Sequence, residues 1–340
     1  MKTIILNKPG DFSLIQTELD PTLAAGETLL KIHRVGICGT DLHAFAGNQP
    51  FFSYPRILGH ELGVEVVSVA PDVQNVKPGD RCSVEPYRNT TSDQAVRRGK
   101  TNCGENLSVL GVHEDGGMRE FIRFPAKYLH KSAILSYDQL ALVETLGIGC
   151  HAVNRARVGK DDLVLVIGAG PIGLGTIQFA KAAGAQVVVM DMNNDRLDFC
   201  SAQMGVSGTV NPSEGDAEKL IRSQFGGDLP TVVFDATGNR HSMAKAIEYV
   251  AFGGIVVFIG LYIGDYTFHD PYFHRKEITL MASRNSQSHE FVQIIDMIER
   301  GQINTAPWIT HRADMTEMIG VFPDWTNPQN KVIKAVLEVC

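Results

Sequence analysis

Short runs of β-branched and aliphatic residues, broken by turn signals, fill the first 150 positions of the chain; VEVVSVA at 64–70, for example, is followed by KPGD at 77–80. Runs of this length between glycine and proline punctuation predict strands joined by tight turns, and so a β-rich domain. From Asp162 the pattern changes. LVLVI at 163–167 precedes a helical pattern through Ala183, VVVM at 187–190 precedes one near 195–203, and VVFDATG at 232–238 precedes one near 241–251, with IVVFIG at 255–260 beyond it. This alternation predicts a parallel, doubly wound α/β sheet. After about residue 284, HEFVQIIDMIERG at 289–301 predicts a helix and KVIKAVLEV at 331–339 a closing strand able to return to the first domain. The expected organisation is therefore 1–151 with 285–340 as one domain and 152–284 as the other.

Leu163 to Ala180 is uncharged and reaches the length of a membrane span, but four glycines and a proline interrupt it. Strand, turn and helix describe it better. The start, MKTIILNKPG, has too short an apolar run for a secretory signal. With 340 residues, 44% of them hydrophobic, each domain can bury its own core, and the formal charge of -7 gives no basic field for a nucleic acid. The six cysteines are scattered along a chain that needs no disulfides, which suggests a reducing, cytoplasmic setting.

The strand LVLVI runs into Gly168-Ala-Gly170-Pro171-Ile172-Gly173, then a helix, then a strand ending at Asp191. In that setting the glycines serve a tight turn, close approach of backbone to a pyrophosphate, and close helix–strand packing, while the helix N-terminus faces the phosphates. This is a Rossmann dinucleotide site. Asp191 is placed to accept hydrogen bonds from the adenosine ribose hydroxyls and to repel a 2′-phosphate, which favours NAD over NADP. Arg196 lies close enough to bear on the same position.

A second constellation lies in the first domain, where GICGTDLH (36–43) and GHE (59–61) bring a thiol, imidazoles and carboxylates together around glycine turns. Singly, such a cysteine or histidine is more often a packed core group or a surface group. Together they have the donor types of a catalytic zinc, which keeps three protein ligands and one open position.

These motifs, with the GxGxxG about a hundred residues later, resemble the zinc-containing medium-chain alcohol and polyol dehydrogenases, over essentially the whole chain. The resemblance implies a GroES-like catalytic domain followed by the Rossmann domain, and commonly a homodimer or homotetramer. It also implies that Cys38 and His60 are zinc ligands and that Asp41 orients His60. Glu144, in LVETLGIGCHAV, occupies the place of a third ligand, with Thr145 in place of the usual proline. Cys150, six positions on, is a competing thiol that faces away from Glu144 on a helix. Glu61 is either an intermittent ligand or an acid close behind the metal. Members with a second, structural zinc hold it by four cysteines; the matching positions here are Thr90, Asp93, Val96 and Cys103, so one catalytic zinc per chain is expected.

The implied reaction passes hydride from a secondary alcohol to NAD. Thr40 is placed to bond the substrate oxygen and His43 to relay the proton to solvent, although His43 also reads as an ordinary surface imidazole. Within the family, the stretch from Gly47 to Arg56, with SVLGVHEDGG at 108–117, FHDPYFHRKE at 268–277 and ASRN at 282–285, looks closest to the L-galactonate 5-dehydrogenase branch, which oxidises that sugar acid to D-tagaturonate. A carboxylate then needs a cationic partner, for which Arg284 and His113, with Arg56 behind them, are the candidates. A neutral polyol such as sorbitol or galactitol is the alternative substrate. A zinc-free reductase or a non-catalytic cofactor-binding regulator on the same fold is the alternative of another class; retention of Cys38, His60 and Glu144 argues against both.

Overall fold

The computed structural model describes residues 1–49 and 52–340. Its contacts divide the chain into one unit of Met1–Thr145 with Gln287–Cys340 and another of Leu146–Ser286.

In the first unit the sheet follows the order Ile309–Asp314, Lys334–Glu338, Glu27–Gly36, Glu61–Val69, Arg81–Val84, Leu129–Ser132, with Phe121–Pro125 pairing separately to Glu27–Gly36. Alternation sets its inner face: Leu30 and Ile32 on one strand and Leu62, Val64 and Val66 on the next are fully buried. Each such side chain contributes about 1.5–3 kcal/mol by leaving water. The closing strand foreseen near residue 335 runs antiparallel to Glu27–Gly36, with Val336 opposite Gly36 and Leu337 opposite Val35. On the other side Gly36 stands opposite Glu61. Two chain segments, one from each end of the sequence, thus meet beside the GHE motif.

The second unit holds six strands, all parallel, in the order Gly208–Val210, Gln186–Met190, Leu163–Ile167, Val232–Asp235, Ile255–Phe258, Thr279–Ala282. Its central strands are continuous apolar runs because helices cover both faces of a parallel sheet. The order reverses at Leu163–Ile167, which has Gln186–Met190 on one side and Val232–Asp235 on the other. Ligands bind at the carboxyl ends of strands at such a reversal. The two edge strands are three and four residues long and only partly buried, so they lack the continuous apolar run that marks the inner strands. The helix anticipated near 195–203 is α-helical over Asn194–Phe199 and widens to a π-turn over Cys200–Met204. The apolar stretch 163–180 is divided into strand, turn and helix, and among the described residues no helix is long and apolar enough to cross a membrane.

Candidate metal and nucleotide sites

The strand Glu27–Gly36 ends in a turn that starts the helix Gly39–Ala46, with Cys38 as its N-cap. The Asp41 carboxylate accepts the Cys38 N–H at 2.8 Å, closing a capping box that fixes the sulfur at the positive end of the helix. Glu61 opens the adjacent strand and His60 immediately precedes it. Among the described residues, Cys38, His60 and Glu61 form a group whose ligand atoms all lie within 4.8 Å of one another. Gly36 makes room for it, since a Cβ there would stand 2.0 Å from Glu61 Oε2.

Glu144 lies outside this trio although it is buried and close enough to His60 to influence its charge. Its Oε1 accepts a hydrogen bond from the phenol of buried Tyr87. Glu61 is paired instead with Lys334, whose ammonium lies 2.6 Å and 2.5 Å from its two oxygens, both side chains being at most 2% exposed. Neither Tyr87 nor Lys334 figured among the residues expected from sequence. Asp41 Oδ1 stands 4.0 Å from His60 Nδ1, beyond hydrogen-bond length, and neither atom has another hydrogen-bond partner. Thr40 is half-buried in the first turn of its helix, and His43 is exposed in the last.

Charge decides what this cluster can hold. Burial pushes the carboxyls of Asp41 and Glu144 upward, with His60 opposing. Burial would lower His60, but Cys38, Asp41 and Glu144 outweigh it and hold the imidazole well above its ordinary value. Burial also works against Lys334, yet Glu61 and Cys38 raise it. Four potential anions, Cys38, Asp41, Glu61 and Glu144, therefore surround one lysine and one histidine in a water-excluded place. Buried charge needs compensation. A dication that takes sulfur, nitrogen and oxygen donors fits both the chemistry and the charge of this set, and zinc is such an ion.

In the second unit the glycine loop behaves as three separate devices. Gly168 has φ +97°, which a side chain resists. A Cβ on Gly173 would lie 1.8 Å from the Gly168 carbonyl oxygen, so helix and strand approach only because it is absent. A Cβ on Gly170 would meet nothing nearer than Arg196 Nη1 at 4.0 Å, leaving an open cradle at the N-terminus of the helix Pro171–Ala182. Pro171 and Ile172 form its first turn, with Pro171 favouring helix initiation. Asp191 accepts the Ala169 N–H at 2.7 Å and the Asn193 N–H at 2.8 Å, and Arg196 lies 4.0 Å from it. The cradle and the acid thus fit the pyrophosphate and ribose of a dinucleotide.

The remaining expected residues fall on different elements. In the first unit Arg56 is bound to Asp115 at 3.4 Å and Ser53 at 2.8 Å, while Pro50 and Phe51 of the same stretch lie outside the described residues. His113 is exposed, its Nδ1 accepting the Val109 N–H at 3.0 Å. Arg284 is exposed just past the strand Thr279–Ala282 of the second unit. Cys150 is buried and accepts from Asn154 at 3.5 Å. Where four cysteines would hold a structural zinc, Thr90 donates to the Asn106 carbonyl at 3.0 Å and Asp93 accepts the Val96 and Glu105 N–H groups at 3.1 and 2.8 Å. Val96 is half-buried there, and Cys103 is exposed with its thiol on the Lys100 carbonyl.

The profile of the alcohol dehydrogenase GroES-like domain matches residues 24–134, and that of the zinc-binding dehydrogenases matches residues 171–300. The chain belongs to the zinc-type medium-chain alcohol dehydrogenases, a family of oxidoreductases. It is 40% identical to the L-galactonate-5-dehydrogenase of Escherichia coli K12, over 99% of this chain and 98% of that one. It is 33% identical to an L-arabinitol 4-dehydrogenase of Aspergillus niger, over 92% and 85%. Among solved structures it matches RspB of E. coli CFT073, described as an alcohol dehydrogenase complexed with NADH, at TM-score 0.93 and 28% identity, covering 100% of this chain and 99% of that one.

Proposed function

We propose that the protein oxidises a secondary hydroxyl of a sugar acid, L-galactonate to D-tagaturonate, with NAD as acceptor and one zinc per chain. The observation that carries the reaction class is the Cys38–His60–Glu61 trio, its histidine and glutamate buried and its cysteine half-buried, with further buried carboxylates beside it. Zinc, when bound, supplies the Lewis acidity that lowers the pKa of the substrate hydroxyl, and NAD supplies the hydride acceptor.

The Asp41 carboxylate beside His60 Nδ1 leaves Nε2 as the nitrogen for the metal. Thr40 bonds the substrate oxygen and keeps it oriented, and His43, exposed at the end of the same helix, releases the proton to solvent. Hydrogen bonds made by Thr90 and Asp93 take the place of a structural metal in the segment 90–103. Asp191 selects NAD by repelling a 2′-phosphate, with Arg196 beside it.

Sugar acid is favoured over neutral polyol by the relative at 40% identity. Arg284 and His113 are each a candidate partner for the carboxylate, with Arg56, already committed to Asp115, behind them. The arabinitol-oxidising relative supports a neutral polyol as second reading. NAD reduction measured across aldonates and alditols separates the two: turnover of L-galactonate well above L-arabinitol and sorbitol is expected, and the reverse order overturns the sugar-acid reading.

The cradle gives a paired prediction. Gly170→Ala should fold normally but bind NAD more weakly, because the new methyl group stands where the pyrophosphate approaches. A displacement costing about 1–3 kcal/mol corresponds to a rise in Kd of roughly 5- to 150-fold. Gly173→Ala should instead lower the melting temperature, since its Cβ collides with backbone. Calorimetry of NAD binding and thermal unfolding check the pair; equal effects of the two substitutions would contradict it.

A further inference from the structure

Two buried carboxylates, Glu61 and Glu144, lie near His60, and an open zinc site with Cys38 and His60 has room for one of them. If both bound with the thiolate, the site would close at four protein ligands and the substrate position would be lost. The structure separates them by their partners. Lys334 holds Glu61 within the trio, whereas Glu144 is bonded to Tyr87 and stands outside it.

Tyr87 is 3% exposed, on the short strand Tyr87–Asn89 that pairs with Leu107–Val109. Its ring packs edge-on against Phe291, with centroids 6.5 Å apart. A phenol is un-ionised near neutral pH and so stays a donor. Glu144 sits on the helix Tyr137–Ala156, where its backbone is fixed and side-chain rotation is the freedom it has left. A phenol has a single O–H to give, and it is given to Glu144 Oε1.

We propose that Tyr87 is a positioning residue that holds Glu144 out of the zinc shell, so that Glu61 is the third ligand and the fourth position stays open. The inference rests on the metal-centre reading above. Tyr87→Phe keeps the ring against Phe291 and removes the tether. Glu144 is then free to turn toward the metal and close the site.

Cobalt(II)-substituted protein reports the donor set directly through its d–d absorption. In Tyr87→Phe the d–d bands should move, release of the metal to a chelator should slow, and kcat of the zinc enzyme should fall on the order of 10- to 100-fold, as when a ligand-orienting partner is lost, with a smaller change in KM. Glu144→Gln added to Tyr87→Phe should return the bands to their wild-type position. Glu144→Gln alone, with Tyr87 kept, should leave them unmoved, and a shift there overturns the proposal even if Tyr87→Phe does not fold. Unchanged bands and unchanged metal release in folded Tyr87→Phe overturn it too. If wild-type protein takes up cobalt without a thiolate-to-metal charge-transfer band, the metal-centre reading itself fails, and this inference with it.

Discussion

Replacing Cys38 by alanine is expected to leave the protein folded, without tightly bound zinc, and slower in alcohol oxidation by about three orders of magnitude or more. The thiol is the one sulfur of the trio, and it is placed by a capping box whose hydrogen bond from the Cys38 N–H survives the substitution. The fold is therefore spared. What is lost is Lewis acidity, worth several kcal/mol to a developing oxyanion, and each 1.36 kcal/mol is about tenfold in rate. Metal analysis, circular dichroism and steady-state rates on the same preparation check all three parts. Near-normal turnover in metal-free Cys38→Ala would refute zinc catalysis at this trio.

Lys334→Met should destabilise the metal-free protein by about 3–5 kcal/mol, the cost of breaking a buried ion pair and leaving one charge uncompensated. Lys334 and Glu61 are both buried, and the lysine has the long apolar stem that methionine reproduces, so packing changes little. The charge is what disappears. Two companions sharpen the result in urea unfolding: Lys334→Met/Glu61→Gln should recover most of the loss, and the metal-loaded single variant should lose less than the metal-free one, because a dication beside Glu61 takes over the compensation. Equal losses with and without metal would show that Lys334 acts apart from the metal site.

The sequence made the second unit legible because its signals are local. Each long strand is an unbroken apolar run, and the loop from Gly168 to Gly173 sits between strand and helix where its geometry requires. Strands 208–210 and 279–282 escaped because, as short edge strands only partly buried, they lack the run of valines and isoleucines that marks the equally short VVFD and IVVF. At the metal site Cys38, His60 and Glu61 could be found because they crowd around two glycine turns. Lys334 could not, since it lies 273 positions from Glu61 and reads as one polar residue in a closing strand. Tyr87, 57 positions before Glu144, likewise reads as ordinary core. Both bonds are products of sheet pairing and helix placement, which sequence spacing does not encode.

The strand Lys334–Glu338 that completes the first sheet also carries a timing constraint. Chains emerge from the ribosome at about 5–20 residues per second, and domains tend to fold as they appear. Residues 146–286 are contiguous and can fold as soon as they are out. The segment that pairs with Glu27–Gly36 and delivers Lys334 to Glu61 is made only after them. During synthesis the acids near Cys38 wait without their lysine, and the centre becomes electrically complete only once Lys334 has emerged. A nascent chain stalled before position 331 should therefore show a protease-resistant middle and a still-digestible beginning.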